Sequence, residues 1–169
     1  MKLTKRLLAM ALAGVMLLTI LTGCSGGKTG DRLVEEYMAT FLRENPWYKD
    51  VPITHDVPEI KTVAEMFQDS WLTDGSWNMS STPLTTLQNV FSNYETGYTV
   101  ILGACEVDSK QSELNQTIRV MVNSMSNGLS VHKPEGVGVN LTAAKCATRL
   151  VTRENKSYRI VVIIYDNHT

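Results

Sequence analysis

The chain has 169 residues and is nearly neutral, with 16 Lys and Arg against 17 Asp and Glu. Three of the basic residues, Lys2, Lys5 and Arg6, precede position 24, so the rest of the chain holds 13 basic and 17 acidic residues. A mildly acidic surface argues against nucleic acid and anionic lipid headgroups as partners. The length suits one domain with a single core.

Residues 1–23 are predicted to be a signal peptide. The basic residues are followed by an uncharged apolar run over residues 7–21 and then by small residues, which is the order of a secretory signal. The run is shorter than the about 20 residues that a transmembrane helix needs. At its end, Leu21-Thr22-Gly23-Cys24 resembles the lipobox of bacterial lipoproteins. An ordinary signal peptide with an incidental Cys is the alternative.

The lipobox resemblance implies that a diacylglyceryl group is attached to the thiol of Cys24 and that the chain is cleaved before it. The expected protein is lipid-anchored on the outer face of the bacterial cytoplasmic membrane by acyl chains such as palmitate. Residues 24–30 are Gly-rich and are predicted to be a flexible tether. Residues 31–169 are predicted to form one globular domain.

Three helices are predicted in the first half of this domain. Asp31 is a plausible N-cap for a helix over residues 31–44, where apolar side chains recur at helical spacing. After a loop over residues 47–58, a second helix is predicted from Pro58 to Trp71, ending before an Asp-Gly turn. A third, shorter helix follows the Ser-Thr-Pro sequence at residues 81–83.

The second half is predicted to be richer in strands. Residues 99–105 form a strand or a buried extended segment, and residues 112–126 follow helical spacing despite several β-branched side chains. Strands are expected over residues 137–141, 147–153 and 157–165, the last two as an antiparallel hairpin with the final strand central and covered on both faces. The predicted fold is therefore α+β, with helices packed on a small antiparallel sheet of about three strands.

Cys105 and Cys146 are the two cysteines that follow position 24. A disulfide between them is chemically possible outside the cell. Cys105 lies in an apolar run, where a free Cys is an ordinary buried residue. The sequence leaves the two possibilities open.

The chain from about residue 31 to residue 166 resembles the CAP superfamily, the cysteine-rich secretory, antigen 5 and pathogenesis-related domains. The matching segments, in the order of the family pattern, are Val63-Ala64-Glu65-Met66, Asp74-Gly75, Ala104-Cys105-Glu106-Val107, Asn123-Ser124, Gly136-Val137-Gly138-Val139 and the closing strand from Ser157-Tyr158 to Tyr165. The resemblance implies an α-β-α sandwich with a cleft on one side of the sheet.

The departures from the CAP pattern decide the functional interpretation. The family cleft pairs two His with two acidic residues that can hold a divalent metal, and neither His is present at the matching positions of this sequence. Glu106 matches one acid, and one carboxylate does not hold zinc. The resemblance therefore implies a degenerate member that has kept the fold, with no metal and no cofactor expected.

Two pairs of residues are candidates for binding or catalysis. Trp71 and Trp77 lie beside acidic residues and a turn at Asp74, and exposed Trp side chains stack on sugars; the alternative is that both are structural. Asn127, after the Asn-Ser pair, is a further binding candidate. Glu106 with His132 is the candidate catalytic pair, although a solvated loop imidazole is the plainer interpretation of His132.

The sequence thus predicts a membrane-anchored extracellular lipoprotein whose domain binds or scaffolds at the cell surface without catalysis. Its partners are expected to be the membrane, through Cys24, and a cell-wall glycan or a surface protein. The alternative is a small hydrolase of the cell wall or of peptides that uses Glu106 and His132. No Gly-x-Ser-x-Gly, His-Glu-x-x-His or Walker motif supports an enzyme, although catalytic triads are defined by geometry.

Overall fold

Helices and strands alternate along the chain in a computed structural model that describes residues 30–46, 48–94, 96–133 and 141–167. The helices in these residues are α1 (Gly30–Arg43), α2 (Ile60–Met66), α3 (Leu84–Val90) and α4 (Glu113–Asn127), with 3-10 turns at Asp69–Trp71 and Ser92–Tyr94. The strands are β1 (Ile53–Thr54), β2 (Leu72–Thr73), β3 (Ser76–Trp77), β4 (Tyr98–Val107), β5 (Leu129–His132), β6 (Ala143–Arg153) and β7 (Lys156–Asp166). The predicted α+β class is confirmed.

Five strands form the main sheet in the order β1-β6-β7-β4-β5, and β2 pairs with β3 in a separate two-stranded sheet. Only the short β1 is parallel to its neighbour; every other pair is antiparallel. Strand β7 pairs along its whole length with β6 on one side and β4 on the other. This confirms the central position predicted for it, because its run from Ile160 to Ile164 is buried on both faces.

Strands β6 and β7 form the predicted hairpin. Glu154 and Asn155 make its two-residue turn with positive φ angles of 46° and 70°. Two successive left-handed residues give the turn a twist that matches the two strands, and Asn adopts this conformation readily. The hairpin joins Arg153 to Lys156 in register.

Alternating side chains of the sheet build two separate cores, one on each face. Helices α2 and α3 and the β2–β3 hairpin cover the first face, whose buried strand residues include Val100, Leu102, Ala104, Ala147, Tyr158, Ile160, Val162 and Ile164. Helices α1 and α4 cover the second face, whose core includes Val34, Met38, Leu42, Cys105, Val120, Met121, Cys146, Val161 and Ile163. The sheet is thus packed between helices.

Helix α4 begins at a serine N-cap and lies directly on strand β4. Ser112 accepts a hydrogen bond from the backbone N–H of Asn115 at 3.4 Å. At the crossing, Gly103 permits the close approach: a Cβ atom there would lie 1.7 Å from Ser124 Oγ. The Ser124 hydroxyl donates to the Val120 carbonyl at 2.6 Å, so it needs no partner on the sheet.

Strand β1 covers the outer edge of β6 only near the start of β6. Beyond that point, side chains form hydrogen bonds with the backbone groups of this edge. The backbone N–H of Thr148 donates to Glu35 Oε1 at 3.4 Å, and that of Leu150 donates to Asp31 Oδ1 at 3.3 Å. His55 Nδ1 lies 3.2 Å from the Cys146 carbonyl oxygen. Because Asp31 and Glu35 are one helical turn apart, α1 presents two acceptors in line with the strand.

The structure corrects the expected role of Asp31. Helix α1 begins at Gly30, so Asp31 lies in its first turn and binds arginines of the sheet. Arg159, 2% exposed, donates to Asp31 from Nη1 and to Gln116 Oε1 from Nε and Nη2, the latter two at 3.1 and 2.6 Å. Arg149 Nη1 lies 3.1 Å from the second Asp31 oxygen.

Three sequence predictions about elements are wrong in detail. The second helix is shorter than predicted, because Arg153 donates to the carbonyls of Ala64 and Phe67 at 2.7 and 2.8 Å and ends α2. Residues 53–54 and 129–132, expected within loops, are strands, and the main sheet has five strands instead of about three.

The predicted strand over residues 137–141 falls largely outside the described residues, at positions 134–140. Within the described part of the chain, none of the helices has the length and apolar character required to span a membrane.

Candidate functional site

The candidate site is a cavity of about 400 Å³ between the β2–β3 hairpin and the end of the main sheet. We call it the hairpin cavity. Its lining residues are Asp69, Ser70, Leu72, Asp74, Gly75, Glu106, Lys156 and Tyr158. Strands β4 and β7 supply its floor, since Glu106 and Tyr158 are directly opposed in the sheet register.

The tip of the hairpin forms one wall of the cavity. Asp74 and Gly75 are its turn, with φ angles of 50° and 77°. Gly adopts this conformation at no steric cost and Asp tolerates it, so the Asp-Gly pair predicted as a turn is the two-residue turn of a hairpin. Asn123 of α4 lies nearby, since its Oδ1 would be in ordinary van der Waals contact, at 3.9 Å, with a Cβ atom on Gly75.

Aromatic packing holds the hairpin rigidly over the sheet. Trp71, 3% exposed, packs edge-on against Phe67 with 5.6 Å between ring centroids, and Phe67 lies 5.3 Å from the ring of Tyr158. The backbone N–H of Asn78 donates to the Trp71 carbonyl at 2.8 Å. The wall of the cavity therefore rests on the first core.

The charges of the hairpin cavity are predominantly negative. Three carboxylates, those of Asp69, Asp74 and Glu106, face one ammonium group, that of Lys156, so the formal charge of the lining is −2. Lys156 Nζ lies 3.2 Å from Glu106 Oε2, and both side chains are about half exposed. Such an exposed pair is weak, and a ligand can replace either partner at little cost.

Two groups in the cavity have shifted pKa values. The hydrogen bond to Glu106 and its negative charge raise the pKa of Lys156, so its ammonium form is favoured. Burial raises the pKa of Tyr158, which keeps its hydroxyl as a hydrogen-bond donor at neutral pH. The cavity thus combines carboxylate acceptors with ammonium and hydroxyl donors.

The structure brings some of the predicted site residues together and separates others. Glu106 and Asp74 line the same cavity, and Trp71 supports it from the core. Trp77 is partly buried against that core, and its Nε1 is buried without a hydrogen-bond partner. Trp71 is buried and presents no open face to solvent in the way that sugar stacking requires, so its structural interpretation is favoured, whereas Trp77 is partly exposed.

Asn127 does not line the cavity but binds Asn123, which lies near the cavity residue Gly75. It is exposed at the end of α4, and its Nδ2 donates to Asn123 Oδ1 at 3.1 Å. Asn123 in turn donates to the Ala104 carbonyl at 2.8 Å, on the edge of β4 that β5 leaves uncovered. Asn127 therefore positions the side chain that closes this edge.

His132 lies at the other end of the sheet. It pairs with Val100 on β4, six residues before Glu106, which places the two side chains about 20 Å apart. Its Nε2 lies 3.1 Å from the Gln88 carbonyl oxygen. Glu106 and His132 cannot act on one bond at this distance, so the structure gives no support to a hydrolase built on that pair.

Lys156 and Tyr158 are cavity residues that no sequence motif predicts. Tyr158 belongs to the predicted final strand and Lys156 directly precedes it, but nothing local to either residue indicates a site. Only the pairing of β4 with β7 brings them to Glu106. Asp69 and Ser70 were recognisable as polar neighbours of Trp71, and the short 3-10 turn at Asp69–Trp71 is what aims them at the cavity.

A second cluster joins a cysteine to a histidine. Cys146 Sγ lies 3.5 Å from His55 Nδ1 and 3.8 Å from the Glu35 carbonyl oxygen. Burial, and secondarily the charge of Glu35, raises the pKa of Cys146 to about 12. The thiol is therefore protonated at neutral pH and is not a nucleophile.

The two buried cysteines are free, which answers the open question of a disulfide. Cys105 is opposite Arg159 on β7 and Cys146 is opposite Ile163 on its other side. The two cysteines are therefore two strand spacings apart across the sheet and four residues apart along it, which separates their Cα atoms by about 16 Å. A disulfide requires less than about 7 Å.

Among residues 30–46, 48–94, 96–133 and 141–167, no three His, Cys, Asp or Glu side chains are placed to hold a metal ion together. Cys24, the predicted site of lipid attachment, lies outside these residues. Comparisons with protein-family models, with characterised proteins and with solved structures yield no match.

Proposed function

We propose that this protein is a lipid-anchored binding module of the bacterial cell surface, and that the hairpin cavity holds its ligand. The observation that carries the binding role is the cavity itself, in which Asp69, Asp74, Glu106, Lys156 and Tyr158 converge on about 400 Å³ of open space. A cavity of this size accommodates a small polar group. The lipobox-like sequence before Cys24 supports the anchor.

The chemistry of the lining favours binding over catalysis. Carboxylates accept hydrogen bonds from hydroxyl and ammonium groups, while Lys156 and Tyr158 donate to ligand oxygens. Ser70 in the cavity has no histidine beside it among the lining residues, so it is not activated as a nucleophile. Hydroxyl- and amine-bearing groups of a cell-wall glycan or of a surface protein fit this lining.

The fold is further proposed to be a degenerate CAP-type sandwich. Its support is the placement of helices on both faces of an antiparallel core of strands, with residues 113–127 helical and the Asn123-Ser124 pair packed on β4. The five-stranded sheet with a parallel edge strand is a departure from the three-stranded expectation. The Gly136–Val139 motif lies outside the described residues.

The binding role is tested with the full-length protein purified from membranes and screened against cell-wall glycan fragments and surface peptides. For a ligand of the cavity, Asp74→Asn and Glu106→Gln should each weaken binding about 10-fold or more, because each removes a charged hydrogen-bond acceptor. Asp50→Asn, at an exposed carboxylate outside the cavity, is the matched control and should leave affinity unchanged. Equal affinity in all three variants would place the ligand elsewhere.

The anchor is tested separately by mass spectrometry of the protein from bacterial membranes. The native chain should begin at Cys24 and carry the mass of a diacylglyceryl group. Cys24→Ser should abolish both the lipid and the cleavage, whereas Cys105→Ala should retain both. A native chain that is cleaved elsewhere and carries no lipid would refute the anchor.

A further inference from the structure

A groove at the outer edge of β6 combines positive charge with exposed apolar surface. Its lining residues are Lys61, Ala64, Glu65, Arg149, Leu150, Val151 and Arg153. Three of these are basic and one is acidic, although the chain from position 24 onward is mildly acidic. Leu150 is 36% exposed and is one of the few large apolar side chains of the described residues that face solvent. We call this groove the basic edge.

The basic edge is directly joined to the start of the domain. The backbone N–H of Leu150 donates to Asp31 Oδ1 at 3.3 Å, and Arg149 Nη1 binds the other oxygen of the same carboxylate at 3.1 Å. Asp31 is seven residues after Cys24. Seven residues span at most about 25 Å when fully extended, so the covalent chain keeps Cys24 within about 25 Å of Asp31.

We propose that the basic edge rests on the anionic membrane surface to which Cys24 anchors the chain. The occupant of the groove is thus the lipid headgroup layer, with Leu150 directed into it and Lys61 facing lipid phosphates. Arg149 and Arg153 add positive charge to the groove while they stay bonded to Asp31 and to carbonyl groups of α2. Apolar residues flanked by basic ones bind the boundary between headgroups and acyl chains. This inference rests on the proposed lipid anchor and is independent of what the hairpin cavity binds.

The acidic balance of the chain argues against anionic lipid as a partner. The segregation of charge within the domain explains how one of its surfaces can nevertheless bind anionic lipid. The hairpin cavity has a formal charge of −2, whereas the basic edge has an excess of cationic side chains. The arginines of the edge are also held in place: Arg153 donates to carbonyl groups of α2 and Arg149 to Asp31. Fixed side chains lose little freedom on meeting a surface, and a short tether keeps them near it.

The orientation is measured with the full-length lipidated protein reconstituted in phosphatidylcholine vesicles with and without phosphatidylglycerol. An environment-sensitive fluorophore is attached at Leu150→Cys and its quenching by spin-labelled lipid headgroups is recorded. Met125→Cys is the matched control, since Met125 is 61% exposed on α4. Met125 lies about 18 Å along α4 from Glu113, whose side chain is next to Gly30 at the start of α1. Because Asp31 of that first turn binds the basic edge, Met125 is distant from the surface that is tested. The native thiols at positions 105 and 146 are buried and are not labelled.

The proposal expects strong quenching at position 150, weak quenching at position 125, and a further increase at position 150 with phosphatidylglycerol. Lys61→Gln should lower the ratio of docked to undocked domain about fivefold in anionic vesicles. Lys49→Gln is the charge-matched control. It removes an exposed lysine that lies beyond the opposite end of α1, a helix about 21 Å long, and should have no effect.

Equal quenching at positions 150 and 125 in protein that co-sediments with vesicles would overturn the proposal while leaving the anchor intact. Quenching at position 150 that depends on protein density instead of anionic lipid would also overturn it, because the groove would then bind a second copy. Protein that does not co-sediment with vesicles and carries no lipid mass would refute the anchor instead.

Discussion

The carboxylate of Asp31 holds two arginines whose environments differ sharply, and this allows a direct test of how the fold is stabilised. Arg159 is 2% exposed, and burial lowers its pKa while Asp31 opposes that shift. The Arg149 side chain is 41% exposed and binds the same carboxylate. Asp31→Asn retains the shape and one acceptor oxygen but removes the charge, so the hydrogen-bond partners of the buried guanidinium, the introduced amide and Gln116, are both neutral.

The expected loss of stability follows from the burial of Arg159. Removing one partner of a buried ion pair costs 3–5 kcal/mol, and the lower end, about 3 kcal/mol, applies because Asp31 itself is 23% exposed. This corresponds to a fall in the melting temperature of roughly 6–12 °C for a domain of this size. Arg149→Gln should cost no more than about 1 kcal/mol, since an exposed pair contributes little.

Urea unfolding followed by far-ultraviolet circular dichroism measures both free energies. The double variant Asp31→Asn, Arg159→Met replaces the buried charge with an apolar side chain and should recover part of the loss. If Asp31→Asn costs no more than Arg149→Gln, the charge of Arg159 is not compensated by Asp31 and the reasoning fails. If the double variant is additive, the two residues do not interact energetically.

Two further predictions concern the interior. Gly103→Ala places a Cβ atom 1.7 Å from Ser124 Oγ and 2.8 Å from Val161 Cγ2, so it should lower the free energy of unfolding by about 1–3 kcal/mol. The double variant Gly103→Ala, Ser124→Gly should be less destabilised, because it removes the side chain that the new Cβ atom meets. A Gly103→Ala variant of native stability would contradict the close packing of α4 on β4. Burial raises the pKa of Cys105 to about 11 and that of Cys146 to about 12 from the 9.0 of a free thiol. Because the folded state keeps these protons more tightly, stability should be complete below pH 9. It should then fall by about 1.4 kcal/mol per thiol for each pH unit above 9, until each folded pKa is reached. The slope is measured by urea unfolding between pH 8 and pH 10, and a Cys105→Ala, Cys146→Ala variant with an unchanged slope would contradict the assignment to the thiols.

Several elements could be predicted because their signals are local. The helical spacing over residues 112–126 outweighed its β-branched residues, and α4 occupies that range. The apolar run before Tyr165 predicted a central strand, since a strand covered on both faces has no polar side. Strand β5 also had a local signal in the alternation of Leu129 and Val131 with polar residues, but at four residues it is too short to be convincing alone.

The candidate site was only partly predictable. Asp74 could be placed at a turn and Glu106 at the end of a strand, but no pattern joins them, because they are 32 positions apart in the chain. Lys156 and Tyr158 complete the cavity only through the register of β7 against β4. The register of β5 against β4 separates Glu106 from His132, which sequence position alone allows as a pair.

The sequence by itself determines the helical segments, the turns at residues 74–75 and 154–155 and the expected lipid attachment at Cys24, since each depends on neighbours in the chain. Tertiary structure decides the rest. It places a buried arginine beside Asp31, keeps two thiols about 16 Å apart, and divides a mildly acidic chain into an acidic cavity and a basic edge. These are consequences of strand register and helix packing, which bring together residues that are distant in the chain and therefore have no joint signal in its local pattern.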